Sequence, residues 1–340
     1  MTNCVYIFGN GLDLRMGMPT SYPDFLKYYE GIKTSDYSVA SVKQRFLSKI
    51  KMEKGQEWKD LEIAMGLFTK DVSDVESFKD FYRDISSALK EYLTLAENNL
   101  PNLSPDDEFK FWEDLMFPED YLHVKSRKKV FEYSSRKDKV TANIINFNYT
   151  NTLERLLSSK KDTFSGYGDS SRSSHFWIRD IKYVHGKLNE TDLLFGVNDL
   201  SQIENEDFCT DENFQDLIIK PKGNEELGTG VDAECASLIS EANIFYIYGT
   251  SLGPTDKLWW DCILSRFMNS NAIILYFHYT PQNVKTDLLE RDYIGIERDL
   301  RKLVMERIGI EGDISSFRNR IFVARNTDIF PIYPKRVIIV

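Results

Sequence analysis

The chain is poor in the residues that build metal cages and disulfide frameworks. Its 340 residues hold four cysteines, Cys4, Cys209, Cys235 and Cys262, scattered with no CxxC pair. That spacing argues against a structural zinc site and fits a reduced, cytoplasmic protein. No apolar run approaches the roughly 18 residues that mark a membrane span, so no membrane partner is expected. A basic excess is also missing. The net charge is −10, which removes the global electrostatic footprint of a nucleic-acid binder. Met1 leads straight into an apolar run, without the basic-then-apolar order of a secretory leader. Internal repeats and low-complexity tracts are absent. Histidines number four, His123, His175, His185 and His278, few enough that each is worth testing as a proton carrier.

Apolar residues make up 42% of the chain, enough for a large core. Strand-like apolar runs occur at Cys4–Phe8, Ala142–Phe147, Tyr183–His185, Leu193–Val197, Ile244–Tyr248, Ala272–Phe277 and Arg320–Ala324. They are continuous rather than alternating, as in parallel strands covered on both faces. Between the first two, helical signals dominate. Ser73 to Glu76 reads as a capping box. Phe78, Phe81, Tyr82, Ile85, Leu89, Tyr92 and Leu93 then recur at helical spacing, read as core. Trp58, Leu61, Met65, Leu67 and Phe68 indicate a shorter helix before it, and Pro101 and Pro105 a break after it. The segment 281–311 reads as one or two amphipathic helices. We expect one α/β domain over 1–340, a Rossmann-like parallel sheet of about six to seven strands, with a helical insertion at 31–136 and a mobile loop at 156–176.

Four segments carry chemistry. The run Val5 to Phe8 enters the turn Gly9-Asn10-Gly11, where glycines let the backbone approach a phosphate ahead of a helix N-terminus. An ordinary strand-to-helix turn is the plainer alternative. Asn146-Phe147-Asn148-Tyr149-Thr150-Asn151 ends the second strand, at the edge where open parallel sheets bind ligands. The Asn148 amide offers a donor and an acceptor for a ribose hydroxyl or a water, while Asn151 or Thr150 would also suit a helix cap. Val184-His185-Gly186-Lys187 places an imidazole where a general base is wanted. Tyr248-Gly249-Thr250-Ser251-Leu252-Gly253 follows another strand and forms a second cradle for phosphate or ribose. Asp256 reads as the cap of a helix near Lys257.

The strings GNGLDLRMGMPTSYPDF, NFNYTNTLE, HGKL, FGVND and YGTSLGPTD, in that order over residues 5–256, resemble the AbiH family of bacteriophage abortive-infection proteins. Trp58-Lys59-Asp60-Leu61-Glu62 matches more loosely. More remotely, the same segments are similar to sirtuin-like NAD-binding domains. Gly17-Met18-Pro19 answers that family's Gly-Ile-Pro, and Gly249-Thr250-Ser251 its Gly-Thr-Ser. The resemblance puts the catalytic asparagine at Asn148 and the catalytic histidine at His185. The chain departs from the pattern at Thr150, where the deacylases carry an aspartate that helps hold the nicotinamide amide. It departs also at Asn10 and Asp13, and it has no zinc-binding cysteines, which turns the expectation away from peptide deacylation.

The resemblance implies NAD⁺ as substrate and cleavage of its nicotinamide–ribose bond. Gly9, Asn10, Gly11, Pro19, Thr150, Gly249, Thr250 and Ser251 would contact the dinucleotide. Asn148 would position water or ribose hydroxyls, His185 accept a proton, and Asp13 stabilise the cationic ribose. Glu62 would join them if the insertion folds over the site. No metal is expected. Two other readings stand beside this one: a sensor that binds NAD or a related nucleotide without hydrolysis, and a metal-dependent nuclease or phosphodiesterase in which Asp13, Asp199 and Asp256 converge. A second copy of the chain and a phage-derived activator are the further partners considered.

Overall fold

The computed structural model describes residues 2–53, 60–100, 102–134, 139–158, 161–162, 166–169, 176–279 and 290–330. Trp58, Lys59, Pro101, residues 281–289 and, within the expected loop 156–176, residues 159–160, 163–165 and 170–175 with His175 lie outside them.

Eight strands form one sheet: β1 (Thr2–Phe8), β2 (Val140–Asn146), β3 (Lys161–Asp162), β4 (Gly166–Asp169), β5 (Phe176–Tyr183), β6 (Ile244–Tyr248), β7 (Ile273–His278) and β8 (Ile321–Arg325). Their spatial order is β3-β4-β5-β2-β1-β6-β7-β8. The six strands from β5 to β8 pair in parallel, and β3 and β4 add an antiparallel edge beyond β5. Numbered among themselves, the parallel strands run 3-2-1-4-5-6, the Rossmann order, with its direction change between β1 and β6. The expected Rossmann-like parallel sheet is the one observed.

Thirteen α-helices are described among these residues: α1 (Gly11–Arg15), α2 (Tyr22–Gly31), α3 (Tyr37–Met52), α4 (Leu61–Phe68), α5 (Val75–Asn98), α6 (Pro105–Met116), α7 (Val124–Ser134), α8 (Thr152–Leu157), α9 (Glu212–Ile218), α10 (Lys220–Glu226), α11 (Val231–Glu241), α12 (Lys257–Met268) and α13 (Glu290–Ile308). Side chains of β1 alternate between two cores. Cys4, Tyr6 and Phe8 pack with α6 and α8 through Trp112 and Leu153, and Val5 and Ile7 with α11 and α12 through Ile239 and Trp260. This alternation is the period-two geometry of a strand buried on both faces. A third core lies off the sheet, where Phe25, Phe46, Phe68, Phe78 and Phe81 of α2 to α5 pack against Phe195, Phe214 and Ile218. The aromatic stripe of α5 is therefore core, and it joins the helices between β1 and β2 to the connection between β5 and β6.

Three local expectations are corrected. The strand expected at Tyr183–His185 ends at Tyr183 and begins at Phe176. Arg179, Asp180 and Lys182 disguise it, and its ladder with β2 carries an irregularity at Ala142/Asn143. Leu193–Val197 is extended but forms no ladder: Val197 makes a single bridge with Ile219, while the Leu194 and Phe195 carbonyls accept from Tyr149 and Tyr82 hydroxyls. The cap of α5 is Asp74, which accepts from the Ser77 N–H at 2.8 Å. Within the expected loop 156–176, Leu156 and Leu157 are buried in α8, and β3 and β4 pair as a hairpin. No described helix is long and apolar enough to cross a membrane.

Candidate functional site

Strand register brings the chemistry-bearing segments together. Phe8 is level with Asn146 and Tyr248, Asn146 with Tyr183, and Tyr248 with Phe277. Each candidate segment starts within two residues of this shared row, at the carboxyl edge where Rossmann sheets bind ligands. Over the row lies a cavity of about 860 Å³. It is lined by Gly9 to Gly11, Asp13, Phe147 to Thr150, His185 and Tyr248 to Ser251. Helices α2, α4 and α5 roof it with Tyr22, Phe25, Glu62, Leu89 and Leu93. Its volume falls in the range of small-molecule and cofactor sites.

The two glycine turns close on each other. The Gly9 N–H donates to the Tyr248 carbonyl at 2.9 Å and the Gly11 N–H to the Gly249 carbonyl at 2.8 Å. A Cβ on Gly11 would stand 2.4 Å from the Gly249 Cα, and Gly249 has φ +74. These glycines thus serve backbone-to-backbone approach, and the N–H groups of Gly9 and Gly11 are engaged inside the protein. Asn10 is bound to Thr20 through both its amide atoms, at 2.8 and 2.5 Å. Thr250 accepts from the Leu252 N–H at 3.1 Å, and Ser251 is exposed at the rim. Pro19 does not line the cavity; its carbonyl accepts from the Tyr92 hydroxyl.

Asn148 and His185 face the same space, and each is only 5% exposed. The Asn148 Nδ2 has no hydrogen-bond partner among the described residues. Neither Asn151 nor Asp256 caps its helix with a side chain. His185 packs against Phe147 and Tyr149, with ring centroids 5.3 and 6.3 Å apart. Its Nε2 stands 3.0 Å from Asp256 Oδ1, out of hydrogen-bond alignment. Lys220 Nζ contacts Asp256 Oδ1 at 2.7 Å and Glu62 Oε2 at 2.9 Å. A buried chain Glu62–Lys220–Asp256–His185 therefore runs from the helical roof to the imidazole. Burial alone would raise the Asp256 carboxyl, but Lys220, and after it His185, hold it well below the carboxylate range. Lys220 is held above the usual lysine value by Asp256 and Glu62 against the opposing effect of burial.

Asp13 is buried, and its two oxygens lie 2.9 and 2.8 Å from the Thr150 hydroxyl. Burial, with Glu97 adding to it, pushes its carboxyl up to about 7 against the lowering bonds from Thr150 and Thr152. Burial and then Glu62 push Asp60 up to about 6. Half-buried Tyr22 and Tyr149 are raised well above 10, by desolvation first and Glu62 next. Asp199, by contrast, is outside the cavity and caps a 3₁₀ turn through the Ser201 N–H. No three His, Cys, Asp or Glu side chains among the described residues gather at metal-holding spacing.

A family model described as bacteriophage abortive infection AbiH matches residues 5–278. The chain belongs to the AbiH family. No curated protein matches it. Family membership places this AbiH chain among abortive-infection proteins of phage defence. Sequence reasoning missed Lys220, Asp60, Arg15, Tyr22 and His278 as cavity or relay residues, and read Asp256 as a cap or metal ligand. No sequence signal marks Lys220, because its burial and its pairing with Glu62 and Asp256 exist only in the fold.

Proposed function

We propose that this AbiH protein hydrolyses NAD⁺ to nicotinamide and ADP-ribose in the cavity at the β1/β6 switch point. One observation carries the reading: Asn148 and His185, both buried, line one dinucleotide-sized cavity at the Rossmann crossover. In the reaction the C–N bond between nicotinamide and ribose breaks, and its electron pair leaves with neutral nicotinamide. The ribose takes on oxocarbenium character, a water attacks its anomeric carbon, and that water's proton goes to His185. Asn148 positions the water or the ribose hydroxyls through its unpartnered amide. Asp256, kept ionised by Lys220, lies beside the imidazole and stabilises the imidazolium formed. Asp13, Asp60 and Glu62 give the lining an acidic character, which suits a substrate whose ring and transition state are cationic.

Thr150 stands where the sirtuin-like pattern carries an aspartate, which favours the sensor reading. Asp13 answers this in part, since its carboxylate accepts from the Thr150 hydroxyl and so stands beside that position on the cavity lining. The test is to incubate purified protein with NAD⁺ and follow free nicotinamide. Tight binding without nicotinamide release would leave the sensor reading in its place. Loss of NAD⁺ in an infected cell would account for abortive infection without nucleic-acid contact.

A further inference from the structure

Because the Gly9 and Gly11 N–H groups are engaged and Asn10 is bound to Thr20, an anionic ligand needs another partner. Arg15, the last residue of α1, lines the cavity with a side chain 12% exposed. Its Nε donates to the Phe330 carbonyl at 3.2 Å, and its Nη2 is buried without a hydrogen bond among the described residues. Its one ion-pair contact among the described residues is Asp328, at 4.0 Å and on a side chain 96% exposed. Asp114, the other carboxylate near Phe330, is already bound by Lys110, the Tyr121 hydroxyl and the Phe330 N–H. A desolvated guanidinium nitrogen with no acceptor is costly to keep, and its planar fork matches phosphate.

The position within the cavity is equally informative. Arg15 and Tyr248 share Phe330, whose carbonyl accepts from the Arg15 Nε and whose ring centroid stands 4.8 Å from that of Tyr248, whereas Glu62 lines the cavity from α4 and is paired with Lys220. His278, on the lining too, is held below its ordinary value by burial and Arg325, so Arg15 carries the charge there at neutral pH. The lining is thus mixed in charge, with Asp13, Asp60 and Glu62 as its acidic groups and Arg15 as the cation beside Phe330 and Tyr248.

We infer that Arg15 is the anion subsite of this cavity and takes a phosphate of a nucleoside diphosphate group, leaving the cationic or uncharged end of the ligand to the acidic part of the lining. The inference rests on the nucleotide reading of the cavity and not on hydrolysis. It is tested by calorimetric titration of the full chain and of Arg15→Gln with ADP, ADP-ribose and adenosine. Arg15→Gln should weaken ADP and ADP-ribose by about 10- to 100-fold, the range of a lost charge-assisted contact, with adenosine unchanged. Equal ADP affinity in both proteins overturns the inference, as does an equal loss for adenosine, which would mark general distortion. If Arg15→Gln does not fold, Arg15→Lys carries the test, because it keeps the charge and loses the fork: weaker ADP with unchanged adenosine supports the subsite, and unchanged ADP overturns it. Failure of the wild type to bind any of the three probes removes both the subsite and the nucleotide reading. Arg15-dependent ADP binding without NAD⁺ turnover removes hydrolysis alone.

Discussion

Replacing Asp13 by asparagine should make the protein more stable, increasingly so as the pH rises. Asp13 is buried and its carboxyl is pushed up to about 7, mainly by desolvation. In the unfolded chain it returns to the ordinary value near 3.8. The folded state therefore binds more protons than the unfolded state between those values, and stability falls as pH rises through that window. The full gap amounts to about 4 kcal/mol above pH 8. At pH 5 about 2 kcal/mol of it is already in force, because the unfolded chain has ionised there. Asparagine keeps the size and removes the titration. The variant should thus gain about 2–3 kcal/mol over wild type between pH 5 and pH 8. Spread over an unfolding entropy of roughly 2 cal/mol/K per residue, that is about 3–4 °C in midpoint for a chain of this length. Thermal melts of both proteins at the two pH values read it directly. A midpoint difference that is the same at pH 5 and pH 8 would refute the reasoning. If Asp13 also stabilises the cationic ribose, the same variant loses turnover while gaining stability, the pattern of a functional residue kept at a cost to the fold.

Two further perturbations follow from the contacts. Lys220→Met leaves Glu62 and Asp256 as buried carboxylates without their cation, which should cost about 3–5 kcal/mol in urea unfolding at pH 7. Asp256 is held low in the folded state, so its stabilisation is present above about pH 4 and lost below it. The Lys220→Met deficit should therefore shrink in acid, and a pH-independent deficit would contradict the ion-pair account. Gly11→Ala forces a Cβ to 2.4 Å from the Gly249 Cα and should cost about 1–3 kcal/mol through backbone displacement. Gly31→Ala, with nothing within 4 Å of the new Cβ, is the control and should be neutral or stabilising by up to about 1 kcal/mol in the same melts.

Much of the fold was legible because buried parallel strands are continuous apolar runs that stop at polar turns. β1, β2, β6, β7 and β8 all stand out in this way, and their ends carry the segments that meet in the cavity. β5 was legible only at its end, because Arg179, Asp180 and Lys182 give it the polarity of a loop. The relay was not legible for a different reason. Lys220 meets Glu62 across 158 positions of sequence, and no local pattern announces a contact of that range. The glycine turns show the same limit. Gly9 and Gly11 invite a phosphate when read alone, yet close approach to Gly249 engages their N–H groups. Arg15, which lies in the GNGLDLR string but was assigned no role there, then becomes the cation facing the cavity. Glu62 was conditional on the helices between β1 and β2 folding over the site, and the placement of α4 meets that condition.

The most direct measurement is nicotinamide released from NAD⁺ by the purified wild type, by His185→Ala and by Asn148→Ala, followed by chromatography. Hydrolysis in this cavity predicts release by the wild type and a loss of about 10²- to 10⁴-fold in His185→Ala, the range of a removed general base, with a loss in Asn148→Ala as well. No release by the wild type under any activating condition, including phage-infected extract, or full release by His185→Ala, would contradict it.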